Sequence, residues 1–269
     1  MTKIIQISDP HIVPVGQLAY GKVDTATALT GVVAAINEKL PQIGPVDLAI
    51  VTGDLTDFGT PGEYERFKQI MAPLAVPYRA VPGNHDLRAP MRNAFSDEDW
   101  MTDDGPIDWA IDLADFTVIG LDTLVEGSAY GGLGEASLEF LGTQMSLRPH
   151  KPLLVSLHHP PFKTGIHEMD RNNLRDAGPL REILDTHDAE VRLVCGHIHR
   201  NTVFRFGSTL CQIAPGSSHA VTLEQRLGQM HSLTVEPGAF LLHEWRDGFV
   251  SHHVYSGAFD GPFEFYPES

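Results

Sequence analysis

Two histidines separated by a single residue follow an apolar run and a glycine in the stretch VCGHIHRN, residues Val194 to Asn201. Taken alone, such a pair is explained equally well by turn histidines bonded to nearby carbonyls and by a metal site. Four further apolar runs end in loops that carry aspartate, asparagine or histidine. These loops read SDPH after Ile7, TGDLTD after Val51, PGNHD after Val81 and HHPP after Leu157. Five loops of this kind indicate one shared metal site.

The residue types in these loops discriminate among metals. Aspartate, neutral histidine and asparagine, without cysteine, suit borderline divalent ions such as zinc, manganese, iron or cobalt better than a thiolate site or a calcium cage. Seven of these side chains, namely two aspartates, one asparagine and four histidines, are too many ligands for one ion. They predict two ions, about 3.5 to 4 Å apart, that share a carboxylate.

The five apolar runs are short and continuous, which is typical of strands covered on both faces. They span residues 3–7, 47–51, 78–81, 153–157 and 191–195. Ligands of open α/β sheets bind beyond the carboxyl ends of the strands, so the five loops are expected to converge there. A glycine stands before the polar residues in three of the loops and lets the backbone turn sharply toward the common centre.

Helical patterns separate several of these runs. Apolar residues follow the 3.6-residue period from Ala26 to Leu40, and a second helix is predicted to begin at Thr60, with Pro61 in its first turn and Glu63 closing a capping box. The alternation predicts an α/β fold. Three pairs of further runs predict antiparallel strands, so the sheet is expected to be mixed, and the pattern is compatible with two sheets. The pairs are WAIDL with FTVIGLD, TVFRF with TLCQIA, and AFLLHEW with FVSHHVY.

Composition limits the classes of partner. The chain of 269 residues has 19 basic and 35 acidic residues, a net charge of −16, which argues against a nucleic-acid polymer. The sequence contains no run of about eighteen apolar residues, so no membrane span is predicted. The first residues lack the pattern of a signal peptide. The only cysteines, Cys195 and Cys211, fall in apolar runs, which predicts reduced thiols and a cytoplasmic protein.

The motifs DPH, GDLTD, GNHD, HH and GHIH, in this order, resemble the signature of the calcineurin-like metallophosphoesterase superfamily. The resemblance extends from Asp9 to His199. Three longer stretches, GDLTDFGTPGEYERF, VPGNHDLR and HHPPFKTGIHEMDRNNL, are similar to its bacterial branch of glycerophosphodiesterases and class III cyclic nucleotide phosphodiesterases. The resemblance implies one domain over residues 1–269 with a four-layer αββα fold, two mixed sheets packed as a sandwich and flanked by helices. Residues 216–269 are then a loop and hairpin extension that either caps the site or mediates oligomerisation.

Carried over by position, the resemblance implies two groups of metal ligands and one bridging carboxylate. The first group is Asp9, His11 and His199, and the second is Asn84, His158 and His197. Asp54 would bridge the two ions, and Asn84 would also contact the substrate. In an extended H-x-H turn the two imidazoles can diverge, so that His197 and His199 serve different ions.

The resemblance also places residues near the substrate phosphate. His85 is expected to face the phosphate and assist the leaving group, with Asp86 orienting it; a structural turn histidine is the alternative. His219, in PGSSH, resembles a histidine that approaches the phosphate in the glycerophosphodiesterases. His167 and Asp170, in GIHEMD, are expected to border the pocket and select the leaving group, although this stretch is equally compatible with a solvated helix start.

The expected activity is hydrolysis of small phosphodiesters by a hydroxide that bridges two divalent metal ions, without a covalent enzyme intermediate. Glycerophosphodiesters are favoured over 3',5'-cyclic nucleotides because of the similarity in TGIHEMD and PGSSH. A non-catalytic scaffold would be expected to lose ligands, and none is missing. A DNA-repair nuclease would need a basic groove or an added capping domain. A phosphoprotein phosphatase would carry an arginine where Phe58 stands.

The expected partners are a small phosphodiester substrate and further copies of the chain, and neither a nucleic-acid polymer nor a membrane. Self-association, as a homodimer or a larger homo-oligomer, is predicted from the apolar late hairpin, AFLLHEW and FVSHHVY, and from the tendency of the resembling branch to form assemblies. The expected site has a formal charge of about +1, from two divalent ions, Asp9, Asp54 and a hydroxide. This charge supplies the local attraction for an anion that an acidic chain otherwise lacks.

Overall fold

Strands and helices alternate along residues 1–266, which the computed structural model describes. The strands are β1 (Lys3–Ile7), β2 (Leu48–Thr52), β3 (Tyr78–Val81), β4 (Trp109–Asp112), β5 (Thr117–Gly120), β6 (Leu153–Ser156), β7 (Val191–Cys195), β8 (Thr202–Phe206), β9 (Thr209–Ile213), β10 (Ala220–Val221), β11 (Leu233–Thr234), β12 (Ala239–Trp245) and β13 (Phe249–Tyr255). The helices are α1 (Thr25–Ile43), α2 (Pro61–Met71), α3 (Arg88–Ala94), α4 (Glu135–Ser146) and α5 (Gly178–Leu184), with one 3-10 turn at Met169–Arg171.

The strands form two mixed sheets that share a core. The first sheet has the order β13-β12-β1-β2-β3, and the second has the order β4-β5-β6-β7-β9-β8. A separate two-stranded ribbon pairs β10 with β11. Phe240 of the first sheet and Leu154 and Val194 of the second belong to one cluster of buried apolar residues. The predicted α/β fold, with two mixed sheets in a sandwich flanked by helices, is confirmed.

The parallel strands bring the motif loops together. Strands β1, β2 and β3 are parallel neighbours in the first sheet, as are β5, β6, β7 and β9 in the second. The five motif loops follow β1, β2, β3, β6 and β7, so they all leave carboxyl ends of parallel strands. The loop after β9 leaves the same edge of its sheet and carries His219. The predicted convergence follows from this topology.

Helix α1 covers the first sheet with the predicted apolar stripe. Leu29, Val32 and Ile36 are fully buried and share a cluster with residues of β1 and β2. The helix begins after Asp24, whose carboxylate accepts a hydrogen bond of 3.0 Å from the Thr27 N–H and so caps the first turn. Among the helices of residues 1–266, none has both the length and the apolar surface that a bilayer crossing requires.

The local patterns predicted for α2 and the hairpins are also confirmed. The Thr60 N–H donates to the Glu63 carboxylate at 2.9 Å, which is the predicted capping box, and Pro61 is the first residue of α2. The three antiparallel pairs are β4 with β5, β8 with β9, and β12 with β13. These contacts depend on residues close in sequence, and this is why the sequence pattern predicts them.

The late hairpin is built into the first sheet. Strand β12 lies between β1 and β13, with Lys3 aligned to Glu244, and its residues 239–244 are buried. The apolar character of AFLLHEW is therefore used inside the first sheet. Strand β13 is an edge strand with mixed exposure, and Tyr255 on it is exposed. Self-association of the chain stays a prediction.

We expect Leu29→Ala to lower the free energy of unfolding by about 2–5 kcal/mol, because truncating a buried leucine removes apolar burial and leaves a cavity. Urea unfolding followed by circular dichroism measures this change. Leu147→Ala is the matched control: Leu147 is exposed at the end of α4, and its truncation should stay within about 0.5 kcal/mol. Equal losses in both variants would contradict the packing of α1 on the first sheet.

Candidate metal centre

Four buried side chains from three motif loops form the first ligand group. The group comprises Asp9, His11, Asp54 and His199, with ligand atoms within 4.8 Å of one another. His11 Nε2 lies 3.2 Å from His199 Nε2 and 3.4 Å from Asp54 Oδ2, and Asp9 Oδ1 lies 3.3 Å from His199 Nε2. Two imidazole nitrogens and two carboxylates thus converge on one point.

The second ligand group lies beside the first. Asn84 Oδ1 is 3.2 Å from His158 Nε2 and 3.0 Å from His197 Nδ1. Asp54 Oδ2 is 3.3 Å from His158 Nε2, and the same oxygen faces His11 in the first group. The structure therefore brings all seven predicted ligands together and puts Asp54 between the two groups.

Hydrogen bonds on the outer side of two rings set their tautomers. His11 Nδ1 donates to Asp57 Oδ1 at 3.0 Å, and His158 Nδ1 donates to the Thr52 carbonyl at 2.7 Å. Nε2 of each ring therefore faces the site and can bind a cation once it carries no proton. The lone pair of His11 Nε2 points at a second imidazole nitrogen and at carboxylates, and a cation between these atoms satisfies all of them. The donor set fits borderline divalent ions.

The H-x-H turn presents different nitrogens to the two groups. His197 faces Asn84 with Nδ1, whereas His199 faces His11 and Asp9 with Nε2. The outward nitrogens, His197 Nε2 and His199 Nδ1, are buried and have no hydrogen-bond partner within residues 1–266. Opposite nitrogens of neighbouring histidines thus allow one short turn to supply both groups.

Five predicted ligands have left-handed backbone conformations. They are Asp9, His11, Asp54, His197 and His199, with φ between 45° and 71°. Non-glycine residues in this region cost about 1–3 kcal/mol each and persist only where the surroundings fix them. The strain is concentrated at the ligand groups, as expected for a functional site.

Asp86 fixes the loop that carries Asp54. Its carboxylate accepts hydrogen bonds from the backbone N–H groups of Leu55 at 3.1 Å, Thr56 at 3.2 Å and Gly83 at 2.9 Å. Burial and the nearby charge of Asp54 raise the pKa of Asp86 to about 6. The carboxylate ties the loop after β2 to the loop after β3.

The His85 ring is oriented by Asp57, and not by Asp86 as the sequence suggested. His85 Nδ1 donates to the Asp57 carbonyl at 2.9 Å, so Nε2 is left to face the cavity. The Asp86 carboxylate instead accepts hydrogen bonds from backbone N–H groups and from the Thr56 and Tyr64 hydroxyls. Burial alone would lower the pKa of His85, but the carboxylates of Asp54 and Asp57 outweigh burial and raise this pKa.

Two glycines are required by close approach of neighbouring loops. A side chain on Gly83 would collide with the carboxylate and backbone of Asp54. A side chain on Gly196 would meet the Ser8 hydroxyl and would lie 2.8 Å from Asp9 Oδ2. The sequence interpretation, a sharp turn, is incomplete at both positions, because the second reason for glycine is space for a ligand from another loop.

A cavity of about 390 Å³ opens onto the two ligand groups. Its lining comprises His11, Tyr20, Asp54, Asn84, His85, Ala129, Met169, Asn172, His197, His199, His219, Val221, His231, Ser232 and Leu233. His219 is thus at the cavity, with its ring centroid 4.6 Å from that of His199. The lining does not include His167 or Asp170. Asp170 accepts hydrogen bonds from the Thr164 and Gly165 N–H groups, so it holds its own loop.

The sequence model of the calcineurin-like phosphoesterase family matches residues 2–201, which include all five motif loops. The chain belongs to this family. As a member, it is a hydrolase of phosphate esters. The family match agrees with the sequence resemblance on the same motifs.

This phosphoesterase has close bacterial relatives. It is 37% identical over 268 residues to a probable glycerophosphodiester phosphodiesterase, GpdQ, of Arcobacter nitrofigilis, covering 98% of this chain and 97% of the relative. It is 33% identical over 223 residues to the 3',5'-cyclic adenosine monophosphate phosphodiesterase CpdA of Pseudomonas aeruginosa, covering 80% and 79%. These relatives confirm the predicted bacterial branch. A dimetal phosphatase of Danio rerio shares the fold, with a TM-score of 0.66 at 16% identity over 95% of this chain and 96% of that one.

Part of the cavity of the phosphoesterase is lined by residues that no sequence motif marks. Tyr20, Asn172, His231 and Ser232 line it, yet none lies in a ligand motif. Tyr20 stands in a loop after β1, and its ring centroid is 6.1 Å from that of His11. The nearest sequence signal is the stretch GIHEMD, which ends two residues before Asn172 and contains the lining residue Met169. The signal located the segment but selected the wrong residues of it for the lining.

We expect Asp57→Ala to lower metal affinity about 10–100-fold, because the change removes the carboxylate that holds the His11 ring. The Asp57 carbonyl that orients His85 is retained. Metal titration with Mn²⁺, followed by calorimetry, measures the effect, and Asp104→Ala, a change of an exposed aspartate, is the control. Unchanged affinity in Asp57→Ala would contradict a supporting role for this carboxylate.

Proposed function

We propose that this phosphoesterase hydrolyses small phosphodiesters with two divalent metal ions, one in each ligand group. One observation carries the proposal: Asp54 Oδ2 lies 3.4 Å from His11 Nε2 and 3.3 Å from His158 Nε2, so a single carboxylate oxygen faces both groups. A pair of ions about 3.5 to 4 Å apart uses such a shared ligand. Glycerophosphodiesters are the favoured substrates, and 3',5'-cyclic nucleotides are the second candidate.

The ligand set suits iron, manganese, zinc or cobalt. When bound, two such ions lower the pKa of water toward neutrality and offset the negative charge of the phosphoryl oxygens. Within residues 1–266 the cavity lining contains no cysteine, and its one serine, Ser232, has no hydrogen-bonded base to activate its hydroxyl as a nucleophile. Direct attack of water on phosphorus accounts for the reaction without a covalent enzyme intermediate.

His85 is placed to transfer a proton to the departing alcohol. Its Nδ1 is held by the Asp57 carbonyl, and Nε2 is free to face the substrate. The carboxylates of Asp54 and Asp57 raise the pKa of His85, which favours the protonated ring that a general acid needs. The backbone N–H of His85 donates to Asp54 Oδ1 at 2.8 Å, so the acid and the shared carboxylate are fixed to each other.

His219 is suited to bind a phosphoryl oxygen as a neutral donor. The Ser218 hydroxyl lies 2.9 Å from His219 Nδ1, which leaves Nε2 for the cavity. Burial lowers the pKa of His219 to about 2, so the ring is uncharged at neutral pH. A neutral imidazole with an N–H group on Nε2 can donate one hydrogen bond without adding charge. The side-chain NH2 group of Asn84 can donate a further hydrogen bond to the phosphate, because its Oδ1 faces the second ligand group.

The relatives support the class of substrate. The GpdQ relative is named for glycerophosphodiesters and aligns over nearly the full length of both chains. The CpdA relative is named for cyclic adenosine monophosphate, aligns over a smaller share of the chain and supports the second candidate. The higher identity and coverage favour glycerophosphodiesters.

We also propose that the chain self-associates and works in the cytoplasm. Near the end of the described chain, Phe263, Phe265 and Tyr266 are each at least 79% exposed, and a second copy could cover such apolar rings. Cys195 and Cys211 are buried free cysteines with sulfur atoms 3.6 Å apart, and burial raises the pKa of the Cys195 thiol. Unpaired thiols are compatible with a reducing compartment.

We expect at least a tenfold preference for phosphodiesters over phosphomonoesters, about 1.4 kcal/mol in kcat/KM. A monoester carries close to two negative charges at neutral pH, and the cavity lining within residues 1–266 contains no lysine or arginine to match the second charge. Turnover of bis-p-nitrophenyl phosphate and p-nitrophenyl phosphate, measured with one metal at one pH, tests this. Equal or reversed kcat/KM would show that the charge argument is wrong.

We expect Asp54→Ala to lower activity by about three orders of magnitude or more and to remove metal from both groups. The change removes the carboxylate oxygen that lies 3.4 Å from His11 Nε2 and 3.3 Å from His158 Nε2. Metal analysis of the purified protein and turnover of bis-p-nitrophenyl phosphate measure the two effects. Asp122→Asn is the control. Asp122 is a buried aspartate outside the cavity lining and pairs with Arg88, so this variant should keep the metal content of the wild type. Full activity in Asp54→Ala would refute the shared-carboxylate mechanism.

A further inference from the structure

The cavity lining has a second part, distinct from the ligand groups and from His85 and His219. We refer to Tyr20, Asn172, His231, Ser232 and Leu233 as the outer wall. The Tyr20 ring centroid is 6.1 Å from that of His11 and 5.5 Å from that of His219. A group attached to a phosphate at the ligand groups therefore lies within reach of the outer wall.

The outer wall carries no charged side chain. Its polar groups are a phenol, an amide, an imidazole and a hydroxyl. A further phosphate or carboxylate on the substrate would need lysine or arginine there, and a quaternary ammonium would need acidic groups or several aromatic rings. In the described part of the chain, Tyr20 is the only aromatic ring of the lining other than histidine.

The polar groups of the outer wall are free to bind a ligand. The side chains of Tyr20, Asn172 and Ser232 form no hydrogen bond with another group of residues 1–266, whereas Asp170, two residues before Asn172, uses both carboxylate oxygens. An amide both donates and accepts, as does a hydroxyl. Such groups match adjacent hydroxyls of an alcohol.

Packing fixes two of the three segments that carry these groups. Val13, Ala19 and Val23, in the loop that carries Tyr20, form a small apolar cluster on which Leu233 packs. The Thr222 N–H donates to the Ser232 carbonyl at 2.7 Å and holds the other segment. In the third segment, the Asn172 N–H donates to the Met169 carbonyl at 2.8 Å within the 3-10 turn. These contacts preorganise the outer wall, which reduces the entropy cost of binding.

We propose that the outer wall binds one alcohol of the substrate and selects an uncharged alcohol that carries hydroxyl groups, of which glycerol is the simplest. The inference rests on the proposed phosphodiesterase function and adds to it the residues that choose the alcohol. Asn172 is the main specificity residue, because its amide can serve two hydroxyls at once.

Phosphate monoesters carry a single alcohol. Their binding therefore tests recognition by the outer wall separately from the second alcohol of a diester, which departs in the reaction. The probes are sn-glycerol 3-phosphate, propyl phosphate and phosphocholine, measured as competitive inhibitors of bis-p-nitrophenyl phosphate hydrolysis by the metal-loaded enzyme. We expect glycerol phosphate to inhibit about tenfold more strongly than propyl phosphate, as two net hydrogen bonds would give. Phosphocholine should inhibit no better than propyl phosphate.

Two variants of Asn172 separate binding from structural effects. In Asn172→Ala, the inhibition constant of propyl phosphate should exceed that of glycerol phosphate by no more than about threefold, compared with about tenfold in the wild type. Asn172→Asp, of nearly the same shape, should weaken glycerol phosphate and strengthen phosphocholine. Arg171→Ala is the control, because this exposed neighbour in the 3-10 turn pairs only with Glu168 in the described chain. It should leave the wild-type ratio unchanged.

The outcomes distinguish this inference from the proposed function. An enzyme that hydrolyses bis-p-nitrophenyl phosphate but has equal inhibition constants for glycerol and propyl phosphate would overturn the inference alone. Tighter binding of phosphocholine to the wild type would also overturn it, as would a ratio unchanged by Asn172→Ala. No turnover of any phosphodiester with Fe, Mn, Zn or Co would overturn the proposed function instead.

Discussion

The shared carboxylate of Asp54 is the constraint on which the rest of the site depends. One oxygen faces His11 and His158, and the other accepts the His85 N–H, so the aspartate cannot move without disturbing both ligand groups and the candidate acid. Its backbone is left-handed, with φ of 50°. The Asp86 carboxylate holds the next two N–H groups, and Gly83 leaves the space in which the Asp54 side chain lies. The left-handed backbone of Asp54, the buried carboxylate of Asp86 and the glycine at position 83 are each unfavourable alone, and all three serve to position the Asp54 side chain.

Burial also sets the protonation of the surrounding histidines. It lowers the pKa of His197 to about 3 and holds that of His159 well below the usual range, so both rings are neutral and keep a lone pair. His158 differs: burial alone would lower its pKa, but the charge of Asp54 raises this pKa to about 9. A metal ion in the second group therefore competes with a proton on His158, whereas one at His197 does not.

The sequence predicts the parts of this molecule that depend on local patterns. The strands, the hairpins and the capping box of α2 follow from periodicity and turn residues, and the loops converge because parallel strands end at one edge of a sheet. The role of Asp86 did not follow, because adjacency to His85 does not determine where a side chain points. Tyr20 and Asn172 carry no motif, and they reach the cavity only through packing between segments distant in sequence. The apolar late hairpin suggested a surface between copies, whereas β12 is used within the first sheet.

The position of β12 has a consequence for the synthesis of the protein. Strand β1 leads directly to Asp9 and His11, yet one of its two neighbours is β12, which aligns Glu244 with Lys3. During synthesis, β12 emerges only after every residue of the two ligand groups. Until then β1 has an unpaired edge, and such edges invite pairing with other chains. The first ligand group therefore acquires its full structural support only after β12 has been synthesised and has paired with β1.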